Sequence, residues 1–284
     1  MINNTRQRDK IEKFNGALLQ YGPLSNRIYL MKLNQADPKQ LISAMDEFAK
    51  TKGYTKIFAK VPAYQAELFL ESGYQREAEV PGFYHGQEAA LFLGKYFDSK
   101  RQEEKSLGII QKVLKLAKLK KTKHPDTAFV PTGTIIRKCI PDDAVNMSKL
   151  YKEVFSSYPF PIDDPRYIID TMLDHIAYFG IEMDKQFVSL ASAEMDSVSD
   201  NVEMSDFATL PAFRGHSFAN QILARMENGM RNHGIQTAYT IARAISPAMN
   251  ITFGKAGYKY GGRLINNTNI SGQIESMNVW YKNL

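Results

Sequence analysis

Apolar residues return at helical spacing through Leu107, Ile110, Val113, Leu114 and Ala117, with Lys112, Lys115 and Lys118 on the opposite side. Residues 104–119 are therefore predicted to form an amphipathic helix packed between two domains. The clusters His124-Pro125-Asp126 and Pro131-Thr132-Gly133 cannot continue a helix and put a boundary near residue 131. Beyond it, 134–139 reads as a strand. Pro141-Asp142-Asp143 reads as the start of a helix to about 155, its carboxylates at the positive end of the dipole. Segments 187–196 and 202–210 read as strands joined by a polar turn at 198–201. A helix at 218–233, a strand at 237–243, a helix at 247–255 and strands at 259–264 and 275–282 complete a mixed α/β sheet.

The first half carries a fainter copy of this order: helix 38–51, strand 55–61, helix 63–72, then strands 75–80 and 88–97. Phe69-x-x-x-Gly73-Tyr74 repeats the spacing of Phe253-x-x-x-Gly257-Tyr258, the glycine closing a helix and the aromatic residue opening a strand. The predicted organisation is a partial α/β domain over 1–98, a basic linker helix and turn over 99–131, and a second α/β domain over 132–284. The partial copy has three readings: a cover for an acceptor site, a dimer surface, or a cap on a sheet edge.

The net charge of +6 changes this picture little. Nine Lys or Arg against Glu103 and Glu104 between positions 100 and 123 account for all of it, so a nucleic-acid-binding fold is not implied. One cysteine, Cys139, excludes an intrachain disulfide, and five scattered histidines offer no metal spacing. No apolar run has the length of a membrane span and residues 1–10 lack a signal-peptide core, so the expected location is the cytoplasm, with no metal and no membrane partner.

Most informative is the run Asp206-Phe-Ala-Thr-Leu-Pro-Ala-Phe-Arg-Gly-His-Ser-Phe-Ala219, a strand passing through a short loop directly into a helix. Such a junction offers free backbone N–H groups at the positive end of the helix dipole, where a pyrophosphate fits. Gly215 permits close backbone approach, and Arg214 can anchor the loop or meet a phosphate with its planar donor fork. The order strand, Pro-x-x-Arg-Gly-x, helix, strand, helix, Gly-aromatic, strand resembles the GCN5-related N-acetyltransferase (GNAT) superfamily, whose coenzyme A loop reads Arg/Gln-x-x-Gly-x-Gly/Ala. Here the loop is Arg214-Gly215-His216-Ser217-Phe218-Ala219, with Ser217 in place of the family's central glycine.

The resemblance spans residues 132–284 and implies acetyl-CoA as cofactor. Its contacts would come from Phe207, Ala208 and Thr209 on the strand, from Arg214 through Gly215, His216, Ser217, Phe218 and Ala219 in the loop, and from Ser246, Asn250 and Phe253 further on. Within the superfamily, the segments 247–253, Gly257-Tyr258, Gly261-Gly262, 266–270 and 274–281 resemble the β-lysine N-acetyltransferases, and this likeness extends into the first half. It implies acetylation of the ε-amino group of β-lysine, giving a neutral zwitterionic compatible solute.

An alkylammonium with a pKa of about 10.4 must lose a proton before attack, which asks for a carboxylate near the thioester. Glu203 and Asp206 are the catalytic candidates, with Glu203 favoured as base, directly or through water. The resemblance puts a main-chain N–H at a strand bulge near Phe207 or Ala208 against the oxyanion. The family's tyrosine acid is replaced by Phe253, leaving the acid unassigned among Tyr258, Tyr239 and solvent. Candidates for holding the acceptor are Tyr158 and Phe160, Glu194, Arg243, and Glu275 with Asn278, each of which also fits a structural role. Cys139 has no His at a recognisable spacing, so it reads as packing and transfer is expected to be direct. Two other readings stay open: a GNAT enzyme for lysine, a polyamine or a protein lysine, and a non-catalytic acyl-CoA-binding module.

Overall fold

A computed structural model describes residues 9–120, 133–270 and 272–284. The turn segments at 124–126 and 131–132, and with them the predicted boundary near 131, lie outside the described residues. The first half comprises β1 (Lys10–Phe14), β2 (Ala17–Gly22), β3 (Arg27–Lys32), α1 (Pro38–Lys52), β4 (Lys56–Pro62), α2 (Ala66–Glu71), β5 (Gln75–Tyr84) and β6 (Glu88–Tyr96). Helix α3 (Leu107–Leu119) leads to β7 (Ile135–Lys138), α4 (Ala144–Val154), α5 (Pro165–Asp174), β8 (Ile176–Met183), β9 (Gln186–Asp196) and β10 (Asn201–Thr209). Then come α6 (Phe218–Asn232), β11 (Thr237–Arg243), α7 (Pro247–Lys255), β12 (Lys259–Ile270) and β13 (Gln273–Asn283). Local chemistry sets the ends: Asp37 accepts from Lys39 N ahead of Pro38, and Gly53, at φ 69°, closes α1.

All the strands of the described residues join one sheet in the order β1-β2-β3-β4-β6-β5-β12-β13-β11-β10-β9-β8-β7. The two halves repeat one pattern: β3 is parallel to β4 as β10 is to β11, and an antiparallel hairpin follows in each. The Phe-Gly-Tyr corners also match. Phe69 and Tyr74 rings lie 5.2 Å apart and Phe253 and Tyr258 rings 5.1 Å, with Gly73 at φ 87° and Gly257 at φ 84°. The halves meet edge to edge where Gly262 pairs with Ala78. There the sheet folds back, so that Tyr29, Phe58, Phe83 and Phe92 of the first half pack against Tyr239, Leu264, Met277 and Val279 of the second.

Helices α1 and α2 cover the outer face of the first half, α6 and α7 one face of the second, and α4 and α5 part of its other face. Helix α3 turns Ile110, Val113 and Ala117 inward, as the periodicity predicts, but it lies on α7 rather than between the halves. A different residue of the linker bridges them: Arg101 donates to Asn266 O and to Ser25 O, each at 2.7 Å. The sequence reading did not include β1, β2, β3, α5 or β8. None of the described helices is long and apolar enough to cross a membrane.

Candidate active site

Strands β10 and β11 pair only from Asn201–Glu203 to Thr237–Tyr239, and beyond Glu203 they make no further ladder bonds to each other. A gap therefore opens in the middle of the sheet. At its edge β10 bulges: Ser205 pairs with Ser192 and Ala208 with Leu190, so Asp206 and Phe207 together oppose a single residue. Asp206 takes φ 53°, which aspartate tolerates better than most residues. Phe207 turns to the helix side and meets Phe253 edge-on at 5.5 Å.

From β10 the chain passes through Pro211–Phe213 into α6. Arg214 is exposed and donates through Nε to Thr209 O at 3.3 Å, fixing the loop while its terminal donors stay outward. Gly215, at φ 89°, has open space where a Cβ would stand. Phe218 is buried and His216 stacks on it at 5.5 Å, which pins the start of α6 with Ala219 in its first turn. No side chain caps this helix, so its first N–H groups face the loop without an intrahelical acceptor. The gap, the uncapped helix and the outward guanidinium fit a pantetheine arm ending in a pyrophosphate.

On the face away from α6, a row of polar groups runs across the sheet: Tyr239 on β11 beside Glu203 on β10, and Glu203 opposite Glu194 on β9. Asp206 lies next along, buried, and accepts from Ser192 Oγ at 2.7 Å and from Tyr158 and Ser205. Residues 155–164 lie over the bulge. Tyr158 reaches Asp206, Phe160 packs in the α4–α5 core, and Ser157 Oγ accepts from Gly272 N at 3.0 Å, tying this loop to the β12–β13 turn. From the first half, Lys60 reaches the row and donates to Tyr239 Oη at 3.3 Å, while Tyr239 donates to Glu203.

Enclosure governs the charges here. Burial raises Glu203, opposed by Lys60 and by the Tyr239 bond; it raises Asp206, opposed by its three donors. It raises Glu194 well above the ordinary range, and the carboxylates Glu203 and Asp206 add to the effect. Burial lowers Lys60, opposed by Glu203, Asp196 and Glu194. A set of carboxylates that holds protons to higher pH than usual, beside a gap able to admit a thioester, suits removing a proton from an ammonium.

A profile described as the acetyltransferase (GNAT) family matches residues 146–251. The β-lysine N(6)-acetyltransferase of Methanococcus maripaludis is 39% identical over 96% of this chain and 98% of its own length. This chain belongs to the GNAT acetyltransferase family. The β-lysine N(6)-acetyltransferase of Methanosarcina mazei is 29% identical over 87% of this chain and 97% of its own, and N-acetyltransferase YodP of Bacillus subtilis 31% over 94% and 96%.

Seen as an N-acetyltransferase, the chain brings together only some of the residues chosen from sequence. Glu203, Glu194, Asp206 and Tyr158 gather on one face of β9 and β10, and the Arg214–Ala219 loop leads from the end of β10 into α6. Arg243 does not offer a free guanidinium, because Glu275 closes on it at 2.8 and 2.6 Å. Asn278 and Asn250 bond to each other at 2.8 Å, and Asn250 also donates to Arg243 O and Ser246 O and accepts from Trp280 Nε1. With these groups engaged and Asn250 fully buried, it holds the start of α7 instead of a pantetheine arm. Ser246 caps α7 through Met249 N, and Phe253 is core. Tyr258 is buried beside Glu227 on the helix face of the sheet, away from the row. Sequence reasoning missed Lys60 and Ser192. For Lys60 a signal existed: one cation in the apolar strand Ile57-Phe58-Ala59-Lys60-Val61.

The acetyltransferase's departure from the family loop has a conformational reading. Ser217 is the N-cap of α6 at φ 58°, the left-handed region a glycine adopts freely. Ser217→Gly is expected to be at least as stable, by up to about 1 kcal/mol, with an unchanged or lower KM for acetyl-CoA; thermal melts and saturation kinetics check both. A lower melting temperature with weaker acetyl-CoA binding would show that the hydroxyl itself is required.

Proposed function

We propose that this enzyme transfers the acetyl group of acetyl-CoA directly to the ε-amino group of β-lysine, in the cytoplasm, giving a net-neutral zwitterion suited to a compatible solute. The observation that carries the reading is the 39% identity over 98% of the length of a β-lysine N(6)-acetyltransferase. The acidic row beside the gap supports it, because a substrate with two ammonium groups suits a site with several carboxylates.

Acetyl-CoA supplies an activated thioester carbonyl. Arg214, Gly215 and the uncapped first turn of α6 hold the pyrophosphate, and the parted strands β10 and β11 admit the pantetheine arm. The bulge at Asp206–Phe207 leaves main-chain N–H groups unpaired in the ladder, where they can meet the carbonyl oxygen. Presenting a neutral amine at pH 7 costs roughly 4–5 kcal/mol, and Glu203, whose pKa burial raises, accepts that proton better than an ordinary carboxylate. Tyr239 orients Glu203. Asp206 holds Tyr158 and the bulge in place, so it positions rather than reacts.

We read residues 1–98 as a partial copy lacking the coenzyme loop, 99–131 as linker and 132–284 as the catalytic unit. The repeated strand order and the twin Phe-Gly-Tyr corners support this division. The deciding test is thiol release from acetyl-CoA with β-lysine, α-lysine and a polyamine in turn, with mass analysis of each product. Faster release with β-lysine and an ε-acetylated product are expected. Release with another amine and none with β-lysine would sink the acceptor assignment and keep the reaction class.

A further inference from the structure

Cations placed near charged neighbours usually close on a partner, and those around this site do so. Lys56 binds both oxygens of Glu77 and Ile265 O, at 2.8 to 3.0 Å; Lys32 meets Asp196 at 3.2 Å; Arg27 donates to Asn267 O at 2.8 Å and Thr268 Oγ1 at 3.0 Å; Arg243 is held by Glu275. Lys60 differs. Its one hydrogen bond is to Tyr239 Oη at 3.3 Å, and its Nζ stands over the rings of Phe83 at 5.1 Å and Tyr239 at 5.6 Å. Among the described residues no carboxylate lies within ion-pair distance of it, although Glu203, Asp196 and Glu194 are near enough to act on its charge. An ammonium has three donors, so Lys60 keeps two for another acceptor.

Across the row, Glu194 accepts no hydrogen bond among the described residues, yet it is desolvated beside Glu203 and Asp206. A half-buried cation and a half-buried anion, each with hydrogen-bonding capacity left over, are better satisfied when a ligand completes them. A ligand end bearing a carboxylate and an ammonium on adjacent or next-adjacent carbons would complete both. Lys60 comes from β4 of the first half and Glu194 from β9 of the second, so the pair draws one charge from each half.

We infer that Lys60 is the residue by which the first half selects the acceptor, binding the carboxylate of an amino-acid substrate while Glu194 takes its second ammonium. The inference rests on the amino-acid acceptor proposed above. It assigns the first half a part in recognition, as a cover carrying one essential charge. With the amino-acid end held by Lys60 and Glu194 on either side of Glu203, the distal amine extends along β10 toward the bulge and the gap.

The test compares β-lysine with pentane-1,4-diamine, which is β-lysine without its carboxylate, in the full-length wild type, Lys60→Met and Lys60→Arg. Wild type is expected to prefer β-lysine. In Lys60→Met the ratio of kcat/KM for β-lysine over the diamine should fall by about 30-fold or more, through KM rather than kcat, with the melting temperature kept. Lys60→Arg should keep most of the preference. An equal fall for both acceptors, or an unchanged ratio, would overturn the inference and leave Lys60 a structural residue. Should Lys60→Met fail to fold, Lys60→Gln, which can still donate to Tyr239, carries the same comparison. Wild type with no turnover of β-lysine would remove the proposed acceptor, and the inference with it, an outcome visible before any variant is made.

Discussion

Glu203→Gln is expected to lower kcat/KM for the amine by about 10²–10³-fold while leaving the KM for acetyl-CoA within a few-fold of wild type. The amide keeps the shape and the contact with Tyr239 but cannot take the ammonium proton. The pH dependence gives a second readout. Glu203 must be ionised to act, and burial raises its pKa, so wild-type kcat/KM should fall as pH drops through that raised value. The variant should lose this limb and keep only the titration of the amine. Stability should move the other way. A carboxyl whose folded pKa lies above its unfolded value destabilises the fold at pH above the folded value, and the penalty is relieved as pH falls through it. The variant should therefore melt no lower than wild type at pH 7 to 8. A loss of activity under about fivefold would shift the base to another group.

Gly262→Ala should have the largest effect on folding. Gly262 takes φ 145° at the seam between the half-sheets, and a Cβ there would stand 2.5 Å from Ala78 Cα and 2.7 Å from Ala78 Cβ, with Glu77 O closer still. Nothing flexible can give way, since the obstacles are the backbone of β5. A cost of about 3 kcal/mol or more is expected, lowering the melting temperature by about 10 °C or preventing soluble expression. The neighbouring Gly261 is similarly constrained, its Cβ position lying 2.5 Å from Glu79 O. A melting temperature within two degrees of wild type would show that the seam tolerates separation.

The junction from Asp206 to Ala219 was legible in sequence because it is local: strand, loop and helix follow within fourteen residues. The two Phe-Gly-Tyr corners were legible for the same reason. Strand β8 was not, since its first six residues are all buried and give no alternation to read. The hairpin of β1 and β2 did leave a signal in Asn15-Gly16, both at positive φ, between its strands. Among site residues, Arg243, Glu275, Asn250 and Asn278 have the residue types that bind ligands, but each is bonded to a partner about thirty positions away. The register of β11 against β13, with α7 packed beside them, brings these pairs together. Lys60 lies 179 positions from Tyr239, and no local pattern connects them.

The folding of one continuous sheet upon itself, with the first half closing over the polar row of the second, separates two heritable traits. The stretch from Asp206 to Ala219 can persist through descent as long as the cofactor stays the same. With Lys60 in the role inferred above, acceptor preference is written partly on β4, well outside the region that marks the superfamily. Descendants could therefore diverge in diet while keeping an identical signature, and substitutions that redirect such an enzyme to a new amine should collect in the first hundred residues.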